Sequence, residues 1–107
     1  MGRRRKFALI FAPETVERMD AIEFKYHSLI ERRIDAQLEY TPQKPTRNRK
    51  PLDEPGPFGA TWALRFGSQN RFRVFYEVDE PAWEVHVLAI GVKERDRLSI
   101  GGKEYTS

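Results

Sequence analysis

The sequence contains no cysteine and only two histidines. Without cysteine the chain can form no disulfide, no thiolate nucleophile and no thiolate metal site. Because it also shows no carboxylates at metal-ligand spacing, we expect no metal and no other cofactor. No apolar run approaches the roughly 18 residues that a membrane-spanning helix needs, so we predict no membrane association. Lack of cysteine is typical of a reducing compartment, and we expect a cytoplasmic location.

Charge is abundant and unevenly placed along the 107 residues, of which 33% are charged, with a net charge of +3. Hydrophobic residues make up 39% and aromatic residues 12%, which predicts one folded domain spanning residues 1–107. Segments 44–50 and 71–73 carry basic residues and no acid. If the basic segments converge in space they form a surface for a polyanion; the alternative is ordinary solvated charge.

Hydrophobic periodicity divides the chain into strands, helices and a loop. The N-terminal segment MGRRRK is basic, and the apolar run FALIFA follows it. Pro-Glu-Thr comes next, where a signal peptide would have a cleavage site. We therefore predict a basic tip and a first strand rather than a signal peptide. The predicted elements, in order, are a strand (7–12), two antiparallel helices (14–26 and 29–40), a long Pro-rich basic loop (42–59) and three strands (61–66, 71–78 and 83–92).

Local signals set the predicted boundaries of these elements. Pro13 suits the first helical turn, and Ser28 with Glu31 forms a capping box that predicts the start of the second helix, leaving His27 at the end of the first. Five prolines and two glycines in residues 42–59 predict no regular element there. Gly67 and Asn70 suit a tight turn with positive φ.

Alternation assigns the strand side chains to two faces. Phe72, Val74, Tyr76 and Val78 are predicted on one face, with Arg71, Arg73, Phe75 and Glu77 on the other. In the last strand Val85, Val87 and Ala89 are predicted on one face, and His86, Leu88 and Ile90 on the other. We expect an α+β fold in which the N-terminal strand joins the sheet edge and two helices cover one face. The other face, partly open, would present arginines on rigid strands.

Five segments, TRNRKPL, WALRFG, NRFRVFYEV, LAIGVK and RLSIGGKEY, resemble in order and spacing the RelE/ParE family of toxins from type II toxin–antitoxin modules. The resemblance runs from about residue 7 to 105 and implies the family's β-α-α-β-β-β fold. It also implies a small toxin held inactive by a cognate antitoxin. The RelE branch cuts mRNA in the ribosomal A site, whereas the ParE branch poisons DNA gyrase, and the shared fold does not choose between them.

The resemblance also implies roles for individual residues. Arg73 matches the strand arginine that contacts the scissile phosphate, Arg65 matches a basic position on the preceding strand, and Lys93 and Arg95 match a basic cluster that supplies phosphate contacts or a proton donor. We expect RNA-binding roles for Lys44, Arg47, Arg49, Lys50, Arg71 and Arg97. Cross-strand pairing of Arg65 and Arg73 with Glu77 or Glu84 is the structural alternative.

The general acid/base is the point at which the sequence departs from the family pattern. Where many relatives have a tyrosine or histidine, this chain has Leu98 and Ser99, so Tyr105 and His86 become the candidates. We expect a ribosome-dependent, metal-independent mRNA endonuclease that blocks translation and arrests growth, with antitoxin, ribosome and mRNA as partners. The alternatives are a gyrase poison and a nucleic-acid-binding relative without catalysis.

Overall fold

The computed structural model describes residues 5–106, which form two α-helices and one seven-stranded sheet, an α+β fold as predicted. The first four residues of the predicted basic tip, and residue 107, lie outside the described part. The elements are β1 (Ala8–Phe11), α1 (Pro13–Arg18), α2 (His27–Leu38), β2 (Arg49–Pro51), β3 (Trp62–Phe66), β4 (Phe72–Asp79), β5 (Glu84–Glu94), β6 (Arg97–Ile100) and β7 (Lys103–Glu104). Among these residues no helix is long and apolar enough to cross a bilayer.

The sheet is antiparallel in the order β2-β3-β4-β5-β6-β7, and β1 adds to it in parallel alongside the first half of β5. β6 pairs with the second half of β5, from Gly91 to Glu94. The predicted meander is thus present, with the N-terminal strand beside it. Strands β2, β6 and β7 extend the sheet beyond the predicted four strands, and β2 lies inside the Pro-rich segment. That strand is possible because β2 pairs with β3 along one edge only. Proline has no N–H to donate, and on the other edge of β2 none is needed from Pro51.

The predicted first helix is much shorter than residues 14–26. Helix α1 begins at Pro13, as expected, but ends at Arg18, and two 3₁₀ turns (Met19–Ala21 and Phe24–Tyr26) follow. The predicted capping box is wrong, because α2 starts at His27 and has no side-chain cap. Instead the Nε2 atom of His27 lies 2.9 Å from the Met19 carbonyl and 2.8 Å from the Ile22 carbonyl, so the ring binds the backbone of the preceding turns.

The predicted alternation of β5 is wrong beyond Val87, because a β-bulge interrupts the strand there. Tyr76 pairs with Val87 and Phe75 with Ala89, which leaves Leu88 as an extra residue. Val85 and Val87 therefore share the helix-covered face with Ile90, while Ala89 lies on the opposite face. Thr15 of α1 donates its hydroxyl to the Leu88 carbonyl at 3.0 Å, which fastens the helix to the bulge.

Each face of the sheet has its own apolar cluster. On the helix-covered face, α2 buries Ile30, Ile34 and Leu38 completely, each worth about 1.5–3 kcal/mol of transfer free energy. On the other face the smaller cluster is formed by Ala60, Ala63, Phe75, Ala89 and Ile100, with Leu52, Leu88, Leu98 and Tyr105 packed against it. This smaller cluster covers the middle of the second face and leaves both ends of that face for polar side chains.

Candidate functional site

Two arginines stand directly opposite each other on the open face. Arg65 of β3 pairs with Arg73 of β4, and Arg73 pairs on its other side with Gly91 of β5. Burial, and secondarily the charge of Arg65, lower the pKa of the Arg73 guanidinium. Like charges directly opposite each other destabilise a sheet, so this pair is costly as a structural element. Within residues 5–106 neither arginine forms an ion pair with Glu77 or Glu84.

A groove lies beside Arg73 and gathers four of the predicted site residues. This basic groove has a volume of about 560 Å³ and is lined by Ser68, Gln69, Arg71, Arg73, Lys93, Glu94 and Arg95. Its single acid, Glu94, lies 3.4 Å from Arg71 Nη2. Four cations facing one acid give the groove a net positive charge, which suits a phosphate or another anion.

The turn between β3 and β4 fixes one wall of the basic groove. Gly67 has φ 83°, as its predicted turn role requires, and a Cβ there would lie 2.7 Å from the ring of Phe72. Gln69 and Asn70 also have positive φ, and the Asn70 carbonyl accepts a 3.1 Å hydrogen bond from Arg73 Nε. Across the groove, Arg95 has φ 56° in the turn between β5 and β6. Such conformations are uncommon outside glycine and concentrate at functional sites.

Arg49 is separated from the other basic residues of its segment. Because it pairs with Leu64, it lies on the helix-covered face, where it is only 6% exposed. Its Nη1 donates to the Gln37 carbonyl at the end of α2 and to Thr41 Oγ1. We therefore leave Arg49 out of the candidate binding surface. Lys44, Arg47 and Lys50 are exposed but do not line the basic groove, and neither does Arg65.

Neither candidate acid/base residue lines the basic groove. The turn at Gly101 and Gly102 does fold the C-terminal strand back, but Tyr105 then packs on the small apolar cluster and bonds through its N–H to the Leu98 carbonyl at 2.7 Å. His86 lies five residues from Gly91 along β5, about 16 Å at the rise of a strand. Apart from arginine, the ionisable groups of the groove are Lys93 and Glu94.

The far end of the open face carries a cluster that the sequence did not reveal. Ligand atoms of Asp79, Glu84 and His86 lie within 4.8 Å of one another, and His86 Nε2 is 3.1 Å from Glu84 Oε1. A histidine and two carboxylates are donor types that could hold a divalent cation. Sequence spacing missed this group because the β4–β5 pairing assembles it; the only signal was that all three residues flank one predicted turn.

A second groove lies on the helix-covered side and holds Arg97. This helix-side groove has a volume of about 820 Å³ and an apolar floor made by Ile22, Tyr26, Phe72, Ile90 and Val92. Its remaining lining residues are Ala21, Glu23, Arg71, Glu94, Arg95, Asp96, Arg97, Ser99, Gly101 and Gly102. Arg71, Glu94 and Arg95 line both grooves, so these three residues form a common wall.

Comparison with known proteins gives no family assignment: no family model matches the chain, and no match was found among the curated proteins searched.

Proposed function

We propose that the protein is a RelE/ParE-type toxin that cuts mRNA on the ribosome without a metal ion. The observation that carries the proposal is the basic groove, in which Arg71, Arg73, Lys93 and Arg95 surround a volume large enough for a phosphodiester. RNA and the ribosome are both polyanions, which a groove of this charge attracts.

Arg73 has the properties of a preorganised phosphate ligand. A neighbouring strand on each side fixes its Cα, and the bond from Nε to the Asn70 carbonyl orients the guanidinium. Its Nη groups then meet the charge that develops on a phosphorane without reorganising. In this proposal Lys93 protonates the leaving 5′-oxygen, and Glu94, once released from Arg71, accepts the 2′-hydroxyl proton; both residues line the groove.

A nucleic-acid-binding relative without catalysis is the second candidate. It is favoured by one observation, namely that Tyr105 and His86 do not line the basic groove. A groove with phosphate ligands but no tyrosine or histidine can bind RNA and leave it intact. Poisoning of gyrase is the remaining alternative within the same family.

Induction in growing cells, with separate readouts of protein synthesis and DNA replication, tests the proposal. We expect incorporation of labelled amino acids to fall first, with cleaved mRNA recovered from ribosomes. Loss of replication with double-strand breaks would instead support the gyrase poison. Translation arrest with intact mRNA would support the relative without catalysis.

We also propose an acidic antitoxin as the protein partner. The charge of the basic groove would steer such a partner, so the association rate should fall steeply as salt rises, while an apolar contact would keep dissociation slow. The measurement is stopped-flow mixing with the neighbouring gene product at a series of salt concentrations. A chain that is expressed without toxicity and binds no neighbouring gene product contradicts this partner.

A further inference from the structure

The two grooves are neighbours rather than separate sites. Arg71 and Glu94 form the ion pair that stands between them, and Arg95 reaches both. One groove is dominated by cations, and the other has apolar residues beneath a rim that is mostly polar. A nucleotide carries a charged phosphate and a flat base with apolar faces and polar edges, so an adjoining pair of such grooves matches both of its parts.

Aromatic and guanidinium planes accompany the apolar floor. The Arg71 guanidinium carbon lies 5.3 Å from the Tyr26 ring centroid and 5.2 Å from that of Phe72. Phe24, which stands in the chain between the lining residues Glu23 and Tyr26, is 85% exposed. Its ring centroid lies 5.3 Å from that of His27, and the rest of the ring surface is open to a ligand.

We infer that the helix-side groove binds a nucleobase of a single-stranded nucleic acid whose phosphates lie in the basic groove, and that Phe24 and Arg71 stack on its bases. The inference rests on the proposed function insofar as that function makes nucleic acid the ligand. Proteins that bind single strands combine a basic track for the backbone with aromatic and arginine planes for the bases. A base in a duplex is stacked inside the helix and cannot enter the groove, so the strand must be single.

The rim of the helix-side groove offers groups that can read a base edge. Asp96, Arg97 and Ser99 line it and together supply hydrogen-bond donors and acceptors. Preference for particular bases would therefore arise on the helix-covered side, away from Arg73 and Lys93 of the basic groove.

A binding comparison between two polyanions tests the inference on the full chain. The probes are a fluorescent single-stranded RNA octamer and an inorganic polyphosphate of equal charge, which has phosphates but no bases. Base stacking predicts that RNA binds about 5- to 150-fold more tightly than polyphosphate, and that Phe24→Ala removes much of this advantage without changing polyphosphate affinity. Phe24→Trp should preserve it.

Tyr40→Ala is the matched control, because Tyr40 is an exposed aromatic residue, 43% exposed, beyond the far end of the 12-residue helix α2. It lies about 18 Å from the groove by helical rise and should leave both affinities unchanged. Equal affinity for the two probes, or an equal loss for both in Phe24→Ala, would overturn the base site while leaving the phosphate groove intact. Binding of neither probe would overturn both the base site and the phosphate groove as ligand sites of the free chain, whereas failure of the proposed function would appear separately, as intact mRNA on ribosomes. A DNA octamer in the same assay distinguishes the two kinds of strand.

Discussion

Replacement of Arg49 by methionine should destabilise the fold rather than weaken RNA binding. The guanidinium donates to the Gln37 carbonyl, one of the last carbonyls of α2, and to Thr41 Oγ1 at 3.0 Å. Because it is cationic and lies at a helix C-terminus, it also interacts favourably with the helix dipole. Methionine keeps most of the volume of the side chain and removes both bonds, which makes it a cleaner change than alanine.

The magnitude follows from those contacts. Hydrogen bonds from a charged donor contribute about 1.5–3 kcal/mol each, and the released desolvation cost of a buried guanidinium offsets part of the loss. We expect Arg49→Met to lower the free energy of unfolding by about 2–4 kcal/mol, which urea denaturation would detect as a midpoint lower by roughly 1–2 M.

Lys50→Met is the matched control, since Lys50 is the next residue of β2 and is exposed. It should change the free energy of unfolding by less than about 0.5 kcal/mol. A stable Arg49→Met variant that binds RNA more weakly than the parent would refute this reasoning. It would show that Arg49 serves the ligand and not the end of α2.

Three further changes test the packing around the sheet. Burial raises the pKa of Tyr76 despite the opposing charge of Arg49, so the unfolded state ionises first and stability should fall above about pH 10. Tyr76→Phe removes the 2.7 Å bond to the Pro42 carbonyl, costs about 1 kcal/mol at pH 7 and should flatten that alkaline loss in denaturation curves. A Cβ on Gly91 would lie 2.9 Å from the backbone oxygen of Ser99, so Gly91→Ala should cost about 1–3 kcal/mol in thermal unfolding; unchanged stability would contradict close packing of β6. Thr15→Val deprives the bulge carbonyl of its hydroxyl donor and should cost about 1–2 kcal/mol, whereas a neutral result would mean that α1 is held by other contacts.

Features with a strong local cause were predictable from the sequence. Proline at position 13 started α1, the turn chemistry of Gly67 and Asn70 produced positive φ, and the alternation of β4 placed Arg73 opposite the helix-covered face. Ile30, Ile34 and Leu38, spaced four residues apart, likewise lie on the buried side of α2, as helical periodicity requires. In each case the residue and its near neighbours carry the whole signal.

Features that depend on distant contacts were not predictable. The bulge at Leu88 is stabilised by Thr15, 73 positions away, and nothing in the strand's own pattern marks it. Strand β2 forms among prolines because β3 offers it an edge. Arg49 looked like its exposed neighbours until the pairing with Leu64 placed it on the buried face.

The candidate site was predictable as a set of residue types but not as a shape. Arg71, Arg73, Lys93 and Arg95 do come together around the basic groove. The helix-side groove beside it depends on the break between α1 and α2, which local signals placed incorrectly.

The measurement that tests the central claim most directly is ribosome-programmed mRNA cleavage by Arg73 variants, with growth arrest scored in parallel. Arg73→Ala should lose about 10²–10³ in cleavage rate and abolish growth arrest while circular dichroism shows an intact fold. Arg73→Lys should recover only part of the rate, because a point charge cannot replace the bidentate fork.

Val74→Asp is the folding control, since Val74 is completely buried on the opposite face and an unpaired charge there should unfold the protein. The account predicts a folded, inactive Arg73→Ala and an unfolded Val74→Asp. A folded Arg73→Ala that cuts mRNA at the parent rate would contradict it.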